Sequence, residues 1–205
     1  LPILLTIDLW VVRSSYKKVN SQLLCVMLFF GLIGHGVGWY YFDYISSDLL
    51  TAFIGSMSLL TVFLYFKRRW LPEKTLIPVK ERIFSLWLRG SFWCTIAGVS
   101  SFVSTSGGVP LQVFLLRCKI ERSVYIGSAA AFFFSVNLTK IPLYADLKIV
   151  SYDSFLISMM LLPAIPFGII LARWINRFLS DEKFYLWMHI ILGVVGLQLL
   201  YRVFV

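Results

Sequence analysis

Residues 105–110 have the side-chain types and the spacing of a small-anion site. Two adjacent glycines, Gly107 and Gly108, interrupt a long apolar run, and Pro110 follows where it suits the first turn of a new helix. The unpaired amides of a helix N-terminus attract anions. Three hydroxyl groups that could donate further hydrogen bonds come just before the glycines, on Ser104, Thr105 and Ser106. This pattern favours an oxyanion, although the two glycines could instead serve only close helix packing.

Four more candidate substrate-binding residues lie in the next apolar run: Gly127, Ser128, Asn137 and Lys140. The nine-residue spacing from Ser128 to Asn137 is about two and a half helical turns, so these two side chains do not share one face. A lysine inside a membrane helix is a default candidate for an anion path, but Lys140 could also extend its amine to the interface. Ser128 could bond only its own backbone.

Proton coupling has two candidates, His35 and Asp8. An imidazole in an apolar helix could relay protons near neutral pH, and His189 is in a similar setting. Each histidine could equally be a packing residue, and Asp8 could be an end cap. No metal-binding, Ser-His-Asp or phosphate-loop motif occurs, and the three cysteines are widely spaced. We therefore predict no metal, no cofactor and no enzymatic activity.

The composition is that of a membrane protein. Hydrophobic residues make up 59% of the 205 residues and charged residues only 14%, too few to solvate a globular surface. The net charge of +9 comes from short clusters between apolar runs, which indicate membrane topology rather than nucleic-acid binding. The expected partners are the lipid bilayer and a small anionic substrate, with a homo-oligomer left open.

The apolar run over residues 86–116 is too long for one ordinary span, and it contains the Gly-Gly-Val-Pro break. Broken backbone persists at membrane depth only where protein or a watery cavity satisfies its polar groups. Lys and Arg numbers alternate along the connections if this run enters and leaves on the cytoplasmic side, so a hairpin is favoured over a full crossing. The other apolar runs are residues 1–12, 21–42, 49–66, 123–145, 154–172 and 184–203.

The domain prediction has a first repeat over residues 1–66, a basic cytoplasmic linker over 67–85 and a second repeat over 86–205. Weak internal similarity supports two inverted repeats: Asp8-Leu9, Gly36 and Ser47-Asp48 correspond in order to Asp146-Leu147, Gly168 and Ser180-Asp181. Inverted repeats with interrupted helices are a recurring transporter plan. Chance similarity between apolar segments is the open alternative.

Several segments carry a resemblance to a known family. They are residues 101–113 (SFVSTSGGVPLQV), 126–130 (IGSAA) and 136–142 (VNLTKIP), with 7–10 (IDLW) and the glycine-rich 31–38 in the first half. Together they resemble the sulfite exporter TauE/SafE family over essentially the whole chain. The resemblance implies a Gly-rich broken helix in each half. The first is expected before Leu1, so we expect the N-terminal part to be missing.

Two departures from the family pattern concern the substrate. Val109 stands where relatives often have proline, and Thr105-Ser106 replaces a commoner His-Ala pair. The resulting expectation is an all-α, polytopic membrane protein that acts as a secondary transporter. It would export sulfite, a sulfonate or a small organic acid across the inner membrane. The alternative is a non-transporting scaffold or assembly subunit, and an intramembrane enzyme ranks lowest.

Overall fold

The computed structural model describes residues 2–15, 19–70, 83–118, 120–147 and 152–204. In these ranges the chain forms nine α-helices, one short 3-10 helix and no strand, which confirms the all-helical fold. The helices are α1 (Pro2–Ser15), α2 (Ser21–Tyr40), α3 (Ser47–Trp70), α4 (Ile83–Ser104), α5 (Gly108–Arg117), α6 (Arg122–Asp146), α7 (Tyr152–Leu161), α8 (Ile165–Phe178) and α9 (Asp181–Phe204).

Local sequence signals begin two of the long helices. The Asn20 side-chain oxygen accepts a hydrogen bond from the Leu23 amide at 3.1 Å and so caps the start of α2. The Ser46 hydroxyl does the same for the Leu49 amide of α3 at 3.3 Å. Short polar side chains at this position satisfy amides that have no partner inside the helix. The starts of α2 and α3 therefore follow from nearby residues alone.

Four helical segments in the described ranges are long and apolar enough to cross a membrane. They lie in α2, α3, α6 and α9, and they support the prediction of a membrane protein. The predicted run over residues 154–172 is not one continuous helix. It contains α7, a 3-10 turn over Leu162–Ala164 and the start of α8. Pro163 and Pro166 explain this interruption, because proline has no amide to donate and disfavours an α conformation before it.

The run over residues 86–116 is interrupted where the sequence predicted. Helix α4 ends at Ser104 and α5 begins at Gly108. Gly107 lies against Ala97 and Ser101 of α4, and the Arg117 guanidinium is 5.6 Å from the Trp93 ring centre. The chain therefore reverses at residues 105–107, and α5 runs back along α4. Residues 83–117 form a helical hairpin, called here the α4–α5 hairpin.

The chain divides into two compact units. The first unit comprises Leu1–Leu28 and Ile120–Asp181, and in it α1 packs along α6 and also contacts α7 and α8. The second unit comprises Phe29–Lys119 and Glu182–Val205, so it contains the α4–α5 hairpin with α3 and α9. These units combine segments from both predicted repeats. The predicted linker over residues 67–85 starts within α3 and ends within α4, and its centre, residues 71–82, lies outside the described residues.

Glycines set the closest helix contacts of the second unit. A Cβ atom on Gly34 of α2 would overlap the Thr95 carbonyl oxygen of α4, and one on Gly98 would overlap the Gly31 carbonyl oxygen. A Cβ atom on Gly55 of α3 would lie 3.0 Å from the Gly196 carbonyl oxygen of α9. Small residues let membrane helices approach until their backbones touch, and dispersion contacts then hold them together. Two of the helix pairs in this unit thus depend on glycine.

The landmarks of the predicted repeat occur in matching element order. Gly36 lies in α2 and Gly168 in α8, while Asp48 and Asp181 lie at the first turns of α3 and α9. Asp8 is in the middle of α1, whereas Asp146 is the last residue of α6, so these two are not in equivalent positions within their helices. The inverted relation between the halves stays a prediction.

Candidate functional site

The three hydroxyl groups at the tip of the α4–α5 hairpin donate to nearby backbone carbonyls. Ser104 Oγ donates to the Ser100 oxygen at 3.1 Å. Thr105 Oγ1 and Ser106 Oγ both donate to the Ser104 oxygen, at 2.7 and 3.1 Å. The last carbonyls of a helix have no partner within it, so these hydroxyls close the end of α4. An anion would have to compete with these bonds to recruit the same protons.

The N-terminus of α5 is the helix start at which the sequence predicted that backbone amides bind an anion. Gly107 is the N-cap residue, and no side chain caps this helix start. Gly108 is exposed and Pro110 is buried in the first turn. The Val109 amide donates to the Ser106 carbonyl oxygen at 3.3 Å and Pro110 has no amide hydrogen, so Gly108 carries the first-turn amide that remains for an anion. Because no side chain caps it, the start of α5 keeps the partial positive charge of a helix N-terminus.

The unusual backbone conformation at the tip belongs to Thr105 and not to a glycine. Thr105 has φ of 55°, and of the described residues other than glycine it alone has a positive φ. Gly107 has an ordinary right-handed conformation, with φ of −60°. A Cβ atom on Gly107 would lie 2.5 Å from the Ala97 carbonyl oxygen and would overlap the Ser101 Cβ. Gly107 is thus required for close packing, the role that the sequence had left as the alternative.

A buried polar cluster forms in the first unit, where α1 packs along α6. Asn137 Nδ2 donates a hydrogen bond to Asp8 Oδ2 at 3.0 Å across 129 residues of sequence. Lys140, one helical turn beyond Asn137, interacts electrostatically with the Asp8 carboxylate. Its amine lies 6.0 Å from the centre of the Tyr144 ring. Lys140 is 2% exposed and Asn137 is 3% exposed, while Asp8 is half-buried. We call Asp8, Asn137 and Lys140 the Asp8 cluster.

Gly127 and Ser128 lie near the start of α6, away from the Asp8 cluster. A Cβ atom on Gly127 would lie 3.2 Å from the Ser15 Cβ, so the glycine lets the end of α1 approach the start of α6. Since Ser15 lies near Gly127 and Asp8 near Asn137, α1 and α6 are antiparallel. The Ser128 hydroxyl is fully buried and has no hydrogen-bond partner among the described residues.

The histidines lie in two packed positions of the second unit. The His35 ring is buried with its centre 5.6 Å from that of Phe102. His189 stacks on Tyr65 with 3.6 Å between ring centres, and its Nδ1 lies 2.7 Å from the Tyr185 carbonyl oxygen. Across the described part of the chain, no group of three or more His, Cys, Asp or Glu side chains could hold a metal ion.

Sequence reasoning selected the members of the Asp8 cluster but not their association. Asp8 and Asn137 are remote in sequence, and only the antiparallel packing of α1 on α6 makes them neighbours. It also missed Gln112, whose Nε2 donates to the Met188 carbonyl oxygen of α9 at 2.7 Å. An amide in the apolar helix α5 was the available signal. The remaining candidates divide between the units: Gly127 and Ser128 in the first, and the hairpin-tip residues with His35 in the second.

The fold and the apolar helices define an all-helical membrane protein. A charged side chain buried within a membrane-length helix is typical of proteins that move ions or polar solutes. The family model described as "Sulfite exporter TauE/SafE" matches residues 1–199. The chain therefore belongs to the sulfite exporter TauE/SafE family of membrane transporters, which confirms the resemblance in the sequence. Searches of curated proteins and of solved structures give no match.

Proposed function

We propose that this protein is a secondary transporter that exports a small anion across the cell inner membrane, which it crosses several times. Sulfite, a sulfonate or a small organic acid is the substrate class that the family and the residues support. The sequence contains no phosphate-binding loop, so an ion gradient is the proposed source of energy. Family membership supports transport itself, and the buried cation Lys140 supports a negatively charged substrate.

The observation that carries this proposal is the burial of Lys140. It lies in α6, a 25-residue helix that is long and apolar enough to cross a membrane, and it is only 2% exposed. Ionisable side chains at membrane depth are costly and mark ion pathways or proton relays. A lysine that extended its amine to the interface would stay accessible at its charged end. The enclosed position of Lys140 therefore supports a role in binding a negatively charged substrate.

We further propose two groups of substrate-binding residues, one in each unit. In the first unit, Lys140 supplies the cation and Asn137 an amide donor. In the second unit, the uncapped start of α5, with the Gly108 amide, supplies the partial positive charge of a helix N-terminus. Supporting roles fall to the hydroxyls and small residues beside these groups, namely Ser104, Thr105, Ser106, Gly107, Gly108, Pro110, Gly127 and Ser128.

The direct test is flux of radiolabelled sulfite and of small sulfonates in proteoliposomes. Lys140→Met should reduce the flux at least about tenfold, because one lost charge-assisted interaction is worth roughly 1.5–3 kcal/mol. Lys140→Arg keeps the charge and should keep part of the flux. Lys67→Met is the matched control, because Lys67 is an exposed lysine at the end of α3. Normal flux in Lys140→Met would contradict the proposed substrate site.

The scaffold alternative requires a break that is packed without any polar opening. At the hairpin tip Gly107 is buried, but Thr105 and Gly108 are left uncovered by the protein. The exposure of these two residues supports a tip that a solute can reach. If intact, folded protein moved none of the tested anions, the scaffold would become the better proposal.

A further inference from the structure

The Asp8 carboxylate is a negative group that the protein itself places beside its buried cation. Lys140 is almost fully enclosed and lies one helical turn from Asn137, whose Nδ2 donates to Asp8 Oδ2 of the neighbouring helix α1 at 3.0 Å. This hydrogen bond holds the Asp8 carboxylate close to the Lys140 side chain. A substrate anion that binds to Lys140 therefore lies close to a second negative charge, the Asp8 carboxylate. The Asp8 carboxylate repels the bound anion unless Asp8 loses its negative charge.

We propose that Asp8 accepts a proton when an anion binds at Lys140, so that the transporter moves one proton together with each monovalent anion. The inference rests on the proposed function, because it needs Lys140 to bind the substrate. The proton comes from water on the side where the anion enters and is held on an Asp8 carboxylate oxygen. It leaves with the anion on the other side, so that export is driven by the outward concentration gradient of the anion itself and not by inward movement of protons. No bond within the anion forms or breaks.

Charge balance in a low-dielectric environment is the physical reason. Without substrate, the ammonium of Lys140 and the carboxylate of Asp8 sum to zero charge. With a monovalent anion at Lys140 and a proton on Asp8, the sum is zero again. An unbalanced charge at membrane depth is strongly unfavourable, so the two neutral forms are the ones that can change conformation. Binding of the anion without a proton, or of a proton without the anion, would leave a net charge in the cluster.

The same balance predicts which anions are accepted. A monovalent sulfonate or bisulfite neutralises the loaded site, whereas a divalent anion such as sulfate leaves one negative charge uncompensated. Asn137 holds the Asp8 carboxylate in place by its hydrogen bond at 3.0 Å. After protonation the carboxylic acid can donate to the Asn137 side-chain oxygen instead, because an amide offers both a donor and an acceptor. Asn137 is therefore a positioning residue for both states of Asp8.

Other ionisable groups near α1 do not replace Asp8 in this scheme. On α6 the other titratable side chains near α1 are Tyr144, which lies beside Lys140, and Arg122, which lines a cavity with Ser14 and Ser15. The described side chains of α7, residues 156–161, include no titratable group. On α8 the titratable group among the described side chains is Arg177, which lines a cavity that runs beside α1 from Ile3 to Ser15. Asp146 is a second carboxylate on these helices, but it is exposed at the last residue of α6, whereas Asp8 is hydrogen-bonded to Asn137, one helical turn from Lys140. Asp8 is therefore the carboxylate that can change from negative to neutral inside the cluster.

Proton uptake by the purified full chain in weakly buffered detergent solution tests the inference directly. Methanesulfonate is the probe, because it stays ionised and exchanges no proton itself. Binding to the wild type should take up about one proton per anion, seen with a pH-indicator dye. Asp8→Asn should still bind methanesulfonate, because asparagine resembles the protonated acid, but should take up no proton. Asp48→Asn, which removes an exposed carboxylate at the start of α3, is the control and should behave like the wild type.

Flux in proteoliposomes provides the second measurement. A pH gradient should drive wild-type flux of the monovalent anion in the direction of proton movement. Asp8→Asn should lose this drive but keep anion-for-anion exchange, and sulfate should compete poorly in both proteins. Anion binding to the wild type without proton uptake would overturn the inference and leave the anion transporter intact. If the wild type bound neither methanesulfonate nor bisulfite, the proposed function would fail, and the inference with it.

Discussion

The hairpin tip and the Asp8 cluster both contain predicted substrate-binding residues, but they are built in different ways. At the tip, the hydroxyls of Ser104, Thr105 and Ser106 bond carbonyls of their own helix end, and no charged side chain takes part. In the Asp8 cluster, a buried cation and a carboxylate from two different helices meet around an amide. The tip is thus organised by backbone geometry and the cluster by charge.

This difference determines what each region can contribute to anion binding. A helix N-terminus carries only a fractional charge, roughly half of an elementary charge, and it is uncapped at α5. It can attract an anion without a permanent counter-charge nearby. A full buried charge such as Lys140 needs a partner at all times, because desolvation of an unpaired ion costs far more than desolvation of a pair. Substitutions in the two regions should therefore have different effects.

The largest effect is expected for Lys140→Met. Removing one member of a buried pair leaves the other uncompensated, which costs roughly 3–5 kcal/mol where burial is complete and less here, because Asp8 is half-buried. Thermal unfolding in detergent should show a clear loss of stability. The double variant Asp8→Asn, Lys140→Met should recover much of that loss but should not recover anion flux. A double variant as unstable as Lys140→Met would show that charge does not organise this cluster.

The next largest effect is expected for Gly107→Ala at the hairpin tip. The added methyl group meets the Ala97 carbonyl oxygen and Ser101, and such overpacking costs about 1–3 kcal/mol. Gly36→Ala is the control in another helix, because a Cβ atom there meets nothing within 4 Å. We expect a lower unfolding temperature for Gly107→Ala and no loss for Gly36→Ala. Equal behaviour of the two variants would contradict the packing role of Gly107.

A smaller effect is expected for Gln112→Leu, which tests how the hairpin is held in the second unit. The substitution keeps a similar side-chain volume and removes the hydrogen bond to the Met188 carbonyl oxygen, worth about 1 kcal/mol. Unfolding temperature should fall slightly, while hydrogen exchange of the α5 amides should rise. Unchanged exchange in α5 would indicate that packing on α4 alone holds this helix.

The smallest effect, and a stabilising one, is expected for Thr105→Gly. A threonine at φ of 55° carries strain of about 1–2 kcal/mol. The lost Thr105 hydrogen bond to the Ser104 oxygen, which is exposed, and the greater backbone freedom of glycine in the unfolded chain both offset part of the gain. The net gain should be several tenths of a kcal/mol. Ser106→Gly is the control and should lower the unfolding temperature, since Ser106 is not among the described residues with positive φ. If both variants lost stability, strain at Thr105 would not be the dominant factor.

Much of the fold followed from local patterns in the sequence. The apolar runs predicted the long helices, and the Gly-Gly-Val-Pro motif predicted the break that separates α4 from α5. These features depend on residues that are neighbours in sequence. Proline has no amide hydrogen to donate, and contacts with distant residues do not change this. The residues at the break have other roles than the sequence favoured. The positive φ belongs to Thr105, and Gly107 is needed for close packing against α4.

The candidate site was predicted only as separate residues. Lys140, Asn137 and Asp8 each stood out as polar groups in apolar helices, with alternatives that the sequence could not separate. Single-helix reasoning shows which residues share a face, but it does not show which helix covers that face. The meeting of Asp8 with Asn137 depends on the antiparallel packing of α1 on α6.

By itself the sequence determined the membrane environment, the helical class, the family and the position of the broken helix. These properties depend on composition and on short motifs, which act through hydration and local backbone geometry. Only the tertiary structure decided that Lys140 is enclosed and opposed by Asp8, and that Gly107 is held against α4. The physical reason is that the energy of a buried charge and the space for a methyl group are both set by atoms from distant parts of the chain.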